Sequence, residues 1–226
     1  MCSTSNAAEE NRMEGVVLDA KTQKAPLTAT AAELKRMFEV IEKEILPVTT
    51  EGVAKGNKVF GASILNKDLS TVTVGTNAET ECPLFHGEVK CIYEWSKVTC
   101  PSARGPAAQE AVFLSTHEPC CMCISSILWS GFTKVYYFFP YTVTAAQGIP
   151  HDINTMHELW GVNTYRKRNK YMSTICLIDL VKGLEDSDDK KELEATVERL
   201  LASYDTLSNK YHTEKSNNAD NSLVLG

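Results

Sequence analysis

The chain has 226 residues, of which 43% are hydrophobic and 23% are charged, and its net charge at pH 7 is −6. This composition predicts one globular domain with additional segments at its ends. The acidic charge argues against nucleic acid as the substrate without excluding it, because proteins that bind phosphate backbones usually present a basic face. Neither a membrane-spanning apolar run nor an N-terminal apolar signal region is found, so we expect a cytoplasmic protein with no membrane partner.

Patterns of apolar residues predict a helix and two strands in the first third of the chain. Residues 1–25 are polar and show little periodicity, so we expect a flexible N-terminal arm. Thr30 begins a capping-box pattern, and apolar residues then recur at helical spacing as far as Pro47, where we expect the helix to end. Residues 59–65 and 70–74 are typical of strands joined by a short turn.

The middle and the end of the chain alternate between strand and helix patterns, with a predicted loop at residues 100–106. Such alternation indicates a mixed sheet covered by helices. We assign residues 26–182 to one folded domain and residues 183–226 to a charged C-terminal helix and tail. The predicted strands are residues 111–116, 134–139 and 175–180, and the predicted helices start near residues 86 and 120 and cover residues 152–160 and 186–212.

Two short segments carry the residues that suit metal chemistry. The first is Phe85-His86-Gly87-Glu88-Val89 and the second is Glu118-Pro119-Cys120-Cys121-Met122-Cys123. Cys120 and Cys123 are one helical turn apart, a spacing that brings two sulfurs to one metal ion. Although the chain has eight cysteines, a cysteine cluster without a secretory signal indicates a metal site more than a disulfide framework.

One histidine and two cysteines give three protein ligands, which is typical of a catalytic zinc ion with an open fourth position. We predict that His86, Cys120 and Cys123 hold zinc and that Glu88 moves protons beside it. A histidine and a glutamate two residues apart, followed by Pro-Cys-x-x-Cys, form the signature of zinc deaminases that act on cytosine or adenine rings.

On these motifs the chain resembles the cytidine and deoxycytidylate deaminase superfamily. Glu118-Pro119-Cys120 has the form seen in guanine deaminases and in transfer-RNA adenosine deaminases, and Gly87 occupies a position where fungal cytosine deaminases have glycine. The resemblance implies an α/β, three-layer cytidine deaminase-like fold with a five-stranded mixed sheet flanked by helices, and residues 26–182 would be the deaminase domain. It also implies a homodimer and the hydrolytic removal of an amino group from a nucleobase or nucleoside.

The resemblance further implies a set of substrate contacts. Phe60, Gly61 and Ala62 would belong to the first strand, whose backbone lies against the substrate ring, and Gly87 would lie between the metal ligand and Glu88. Asn77 would end the second strand and contact the base or sugar. The last of the six implied contacts is Asp152, which follows the fourth strand and whose acidic side chain would read the base.

Three functions remain open at the level of sequence. The first is a zinc-dependent hydrolytic deaminase of a small aminated ring of guanine or cytosine type. The second is a transfer-RNA adenosine deaminase, or a subunit of one, against which the acidic charge argues. The third is a non-catalytic partner that keeps zinc for folding, against which the presence of Glu88 argues.

Overall fold

The computed structural model describes residues 23–215, and these residues build one mixed sheet. The strands lie in the order β2-β1-β3-β4-β5, where β1 is Gly61–Leu65, β2 is Thr71–Thr76, β3 is Val112–His117, β4 is Lys134–Phe139 and β5 is Ser173–Cys176. β1 is antiparallel to β2 and to β3, whereas β3, β4 and β5 are parallel to one another. The predicted five-stranded mixed sheet is therefore confirmed.

Helices cover both faces of the sheet. They are α1 (Ala31–Val40), α2 (Leu46–Ala54), α3 (Gly87–Val98), α4 (Arg104–Glu110), α5 (Cys121–Trp129), α6 (Tyr141–Ala146), α7 (His151–Trp160), α8 (Leu177–Lys182) and α9 (Asp188–Glu214). Within residues 23–215, no helix is both long and apolar enough to cross a membrane.

Alternate residues of the central strands enter two separate cores, as the two-residue period of a strand requires. Phe113 and Val135 pack with α3, α4 and α5 on one face. Leu114 and Phe138 pack with α1, α8 and α9 on the other face. The arrangement is a three-layer α/β fold, in agreement with the sequence-based expectation.

The prediction that Pro47 ends the first helix is wrong. Between α1 and α2 the chain forms a π-helical turn, Ile41–Ile45, and the N–H of Leu46 bonds to the carbonyl of Ile41. Pro47 then lies in the first turn of α2, where the missing N–H of proline is least costly.

Two further elements differ from the sequence-based predictions. Residues 100–106, predicted as a loop, contain a 3₁₀ turn at Pro101–Ala103 and the first turn of α4, since prolines are tolerated where helices begin. Residues 175–180, predicted as a strand, leave β5 after Cys176 and continue as α8. This short run is mainly apolar, and periodicity alone does not separate a buried strand from a buried helix.

The predicted arm and tail lie mostly outside the described residues, as residues 1–22 and 216–226 do. Within residues 23–215, the N-terminal segment is attached to the sheet region, because the N–H of Lys24 bonds to the carbonyl of Asn169 and the Ser173 hydroxyl donates to the carbonyl of Ala25. The predicted C-terminal helix is present as α9 and packs along α1, α2 and α8.

Candidate active site

Two helix starts bring the predicted metal ligands together. His86 directly precedes α3, which packs across β1 and β2. Cys120 directly precedes α5, three residues after β3 ends, and Cys123 lies in the first turn of that helix. α3 and α5 contact each other, and the donor atoms at their N-terminal ends lie close together.

The three ligand atoms have the spacing that a zinc ion requires. One donor atom from each of His86, Cys120 and Cys123 lies within 4.8 Å of the other two. Nδ1 of His86 is 3.6 Å from Sγ of Cys120. Tetrahedral zinc with bonds of about 2.3 Å to sulfur and about 2.0 Å to nitrogen would separate these atoms by roughly 3.6 Å. The donor set and its geometry therefore fit zinc.

Burial governs the titration of the ligands before a cation binds. It raises the pKa of the Cys123 thiol to about 12 and lowers the pKa of His86, which favours the neutral imidazole that metals require. The partial positive charge of a helix N-terminus favours a thiolate, but desolvation outweighs this effect at Cys123 before a cation binds. Ionisation of the thiols is coupled to binding of the cation itself.

Glu88 lies beside the ligands without belonging to them. Its side chain is buried, Oε1 accepts a hydrogen bond from the Ser115 hydroxyl at 3.0 Å, and the carboxyl contacts the Cys123 thiol. Burial raises the pKa of Glu88, against hydrogen bonds that lower it. A carboxyl group held next to a metal ligand but outside the coordination set can exchange protons there.

A cavity of about 210 Å³ opens onto two of the metal ligands, His86 and Cys120. Its wall is mostly apolar, with a small number of polar groups, as is typical of small-molecule sites. The other lining residues are Lys58, Phe60, Pro83, Leu84, Cys121, Met122, Ile149, His151, Asp152 and Thr155.

Of the six predicted substrate contacts, Phe60 and Asp152 lie in the cavity wall. Asp152 is buried, and its burial, followed by the charge of Glu88, raises the pKa of its carboxyl to about 8. Asn77 lies behind the start of α3, where Oδ1 accepts the N–H of Gly87. The Asn77 Nδ2 group is buried and has no hydrogen-bond partner within the described residues. An unpaired buried donor is costly, and Asn77 is not among the residues that line this cavity.

The remaining three predicted contacts, Gly61, Ala62 and Gly87, are small residues where the start of α3 lies close to β1. A Cβ added to Gly87 would lie 2.8 Å from the Cα of Gly61 and 2.9 Å from the carbonyl oxygen of Phe60. Ala62 is fully buried in β1, opposite Ser115 of β3. Their predicted role, which concerns backbone atoms facing the ring, stays a prediction.

An ion pair between a buried glutamate and a partly exposed lysine anchors the loop that carries the predicted cysteine ligands. Glu118 accepts hydrogen bonds from the Lys167 ammonium and from the backbone N–H of Tyr141. The Lys167 ammonium also lies 4.2 Å from the ring centre of Tyr165, close enough for a cation–π contact. Lys167 belongs to the basic run at residues 166–170, and its side chain supports the loop that precedes α5.

Sequence reasoning missed three polar residues around the site. Ser115 could have been suspected, because it is a hydroxyl residue inside the otherwise apolar stretch that forms β3. Lys58 and Glu79 form a buried ion pair near His86. Twenty-one positions separate them, so no local sequence pattern signals their contact.

Comparison with known proteins finds a family match over the part of the chain that contains both motifs. Residues 39–139 match the family model described as the cytidine and deoxycytidylate deaminase zinc-binding region. A comparison with curated proteins finds no match.

Solved structures resemble the chain over larger parts of its length. A structure of a variant protein in complex with 8-azaguanine has a TM-score of 0.50 at 16% identity, covering 81% of this chain and 87% of that chain. The guanine deaminase from Nitrosomonas europaea has a TM-score of 0.46 at 19% identity, with 84% and 87% covered. The guanine deaminase from Bacillus subtilis has a TM-score of 0.43 at 26% identity, with 57% and 83% covered.

The first of these similarities shows the fold, and the family model shows the metal-binding region. The model spans both motifs, so His86, Glu88, Cys120 and Cys123 all fall inside it. Residues 39–139 therefore resemble a cytidine and deoxycytidylate deaminase zinc-binding region, and the resemblance includes both metal-binding motifs.

Proposed function

We propose that this protein is a hydrolytic deaminase that removes an amino group, as ammonia, from a nucleobase or nucleoside of guanine or cytosine type. The observation that carries the proposal is the cavity that opens onto His86 and Cys120, with Glu88 buried beside Cys123. Three protein ligands leave one position of a tetrahedral metal free for water or substrate.

His86, Cys120 and Cys123 would hold the zinc ion, which supplies Lewis acidity and lowers the pKa of a coordinated water molecule towards neutrality. Glu88 accepts a proton from the attacking water and delivers it to a ring nitrogen. Glu88 then transfers the proton of the newly added hydroxyl group to the amino group. The carbon–nitrogen bond breaks, ammonia leaves and a carbonyl group remains on the ring. Ser115 keeps the Glu88 carboxyl oriented through the hydrogen bond to Oε1.

The size and the polar groups of the cavity favour a small ring. About 210 Å³ is below the roughly 300–1,000 Å³ typical of drug-sized ligand sites, which supports a free base or a compact nucleoside. Phe60 offers an apolar wall, and Asp152 offers a carboxyl group for the ring edge. Such a site binds a planar ring that carries both hydrogen-bond donors and acceptors.

The test is ammonia release from a panel of bases, nucleosides and nucleotides by the zinc-loaded protein. We expect release from a guanine- or cytosine-type ring and a loss of at least about 100-fold in the Glu88→Gln variant, because proton transfer by a positioned side chain contributes about 10²–10⁴-fold. The zinc content of the variant should be unchanged.

The matched control is Glu81→Gln, an exposed glutamate whose salt bridge with Lys90 lies on the surface. It should retain full activity, since surface ion pairs contribute little. Retained activity in Glu88→Gln would contradict the role of this carboxyl. Absence of ammonia across the panel, with zinc bound, would redirect the search to transfer RNA or to a non-catalytic role.

A further inference from the structure

A buried ion pair stands behind the histidine ligand. The Lys58 ammonium donates to Oε1 of Glu79 at 2.9 Å, and the side chains of Lys58 and Glu79 are only 6% and 1% exposed. The backbone N–H of Lys58 donates to Oε2 of the same carboxylate at 3.1 Å. Glu79 is therefore held through both of its oxygens by one residue of a neighbouring segment.

The same carboxylate faces the nitrogen of His86 that points away from the metal site. Nδ1 of His86 is the atom near Cys120, and Nε2 lies 3.7 Å from Oε1 of Glu79. This separation is longer than a direct hydrogen bond, so a shift of less than 1 Å or one bridging water would join the two groups. The orientation already assigns Nδ1 to the metal and Nε2 to the carboxylate.

We propose that Glu79 is a positioning residue for the metal centre, and that Lys58 is the residue that holds Glu79 in place. The Glu79 carboxylate accepts a hydrogen bond from the Nε2–H of His86. This bond selects the tautomer with an unprotonated Nδ1 and makes that nitrogen a stronger metal ligand. Lys58 balances the charge of Glu79, so the pair orients the imidazole without adding net charge to the cavity wall.

Stability alone is a poor reason for this pair. Removing two charged groups from water is costly, and replacing a buried ion pair by apolar residues often leaves stability unchanged or increased. A second link, from the N–H of Thr80 to Oδ1 of Asn57 at 3.0 Å, already joins the two segments. Glu79 lies beside His86, so the pair can orient the imidazole, which two apolar residues could not do.

The test measures zinc affinity by competition with a chromogenic chelator, in the absence of any substrate. We expect the zinc dissociation constant to rise about 10–100-fold in Glu79→Gln, the range found when outer partners of metal ligands are changed. Glu81→Gln, two residues further along the chain and exposed, should bind zinc like the unmodified protein.

Glu79→Gln leaves Lys58 buried without its counter-ion and could unfold the protein, so a second variant is needed. The double variant Lys58→Met, Glu79→Gln removes both charges and should keep the melting temperature of the zinc-free protein. It should still bind zinc about 10–100-fold more weakly, because the carboxylate beside His86 is absent.

The positioning role of Glu79 concerns the same metal centre as the proposed function and rests on it. Zinc affinity and ammonia release are measured separately, so the two proposals can fail independently. Weak zinc binding in both variants supports it even where no ammonia is released by the unmodified protein. Unchanged zinc affinity in the folded double variant would overturn it whatever the activity is. If neither variant folded, the pair would be a structural requirement and the positioning role would be rejected.

Discussion

At the scale of single residues, His117 shows how burial decides the state of a titratable group. Its ring is 2% exposed and lies between Phe60 of the cavity wall and Tyr204 of α9. Desolvation lowers the pKa of His117 to about 3, against a hydrogen bond from its Nε2 to Oε1 of Gln147 that raises it. A neutral, packed imidazole supports Phe60 from behind.

This depressed pKa predicts an acid sensitivity with a defined sign. Because the folded protein holds His117 neutral, its contribution to stability is complete above the unfolded pKa of about 6.5 and is lost as the pH falls from there towards 3. Each pH unit within that window would cost up to about 1.4 kcal/mol. The measurement is the free energy of unfolding in urea at pH 7.5 and pH 5.5, on chelator-treated protein.

The reference for this prediction is His117→Gln, which does not titrate. The variant should lose less stability than the unmodified protein between the two pH values, by about 1 kcal/mol. An equal loss in both proteins would show that His117 makes no contribution to the acid sensitivity.

At the scale of elements, the distance between α3 and β1 depends on two glycines. Gly87 begins α3 and Gly61 begins β1, and a Cβ on Gly87 would meet backbone atoms of Gly61 and Phe60 at 2.8–2.9 Å. Backbone atoms cannot rotate away as a side chain does. The two residues therefore set how closely the helix that carries Glu88 approaches the sheet.

We expect Gly87→Ala to destabilise the protein by about 1–3 kcal/mol, the usual cost of an overpacked core. Because α3 would have to move, zinc affinity and activity should fall together. Gly105→Ala is the matched control, since nothing lies within 4 Å of a Cβ at Gly105 of α4. That variant should be neutral or more stable by about 0.5–1 kcal/mol, because alanine favours helix over glycine.

Urea unfolding of both glycine variants, with zinc titration of each, is the measurement. A Gly87→Ala protein as stable as the unmodified one would mean that the helix and the strand separate easily. The close approach would then not be a constraint on the site.

At the scale of the whole molecule, α9 belongs to the core although its sequence is strongly charged. Its apolar stripe packs with α1 and with the strands, on the opposite face of the sheet from α3 and α5. The buried members of this stripe are Leu193, Val197, Leu200, Tyr204, Leu207 and Tyr211. The sequence-based boundary at residue 183 thus falls inside a continuous hydrophobic core.

We expect Leu200→Ala to cost about 2–5 kcal/mol of unfolding free energy, the usual range for a fully buried leucine. Leu200 has no exposed surface, whereas Glu194 on the opposite face is exposed. Glu194→Ala should therefore change stability by no more than about 0.5 kcal/mol. Equal stability of the two variants by urea unfolding would contradict the inclusion of α9 in the core.

Much of the fold was predictable because its signals are local. The apolar runs of β3 and β4, the capping residue Thr30 and the apolar stripe of α9 each lie within one short stretch. The errors arose where neighbours in space decide the conformation. Pro47 continues a helix because the preceding turn widens, and α8 replaces the end of a predicted strand whose apolar run suits either structure.

The sequence by itself determined the chemistry of the site, since ligand type and spacing are properties of residues a few positions apart. His86 with Glu88, and Cys120 with Cys123, predict a metal site with a proton carrier beside it before any folding is known. Only the tertiary structure decided what surrounds them: the 210 Å³ cavity, the hydrogen bond of Ser115 to Glu88, and the buried Lys58–Glu79 pair behind His86. These contacts join residues 21 or more positions apart, and burial, which sets their strength, exists only once the sheet and its helices have packed.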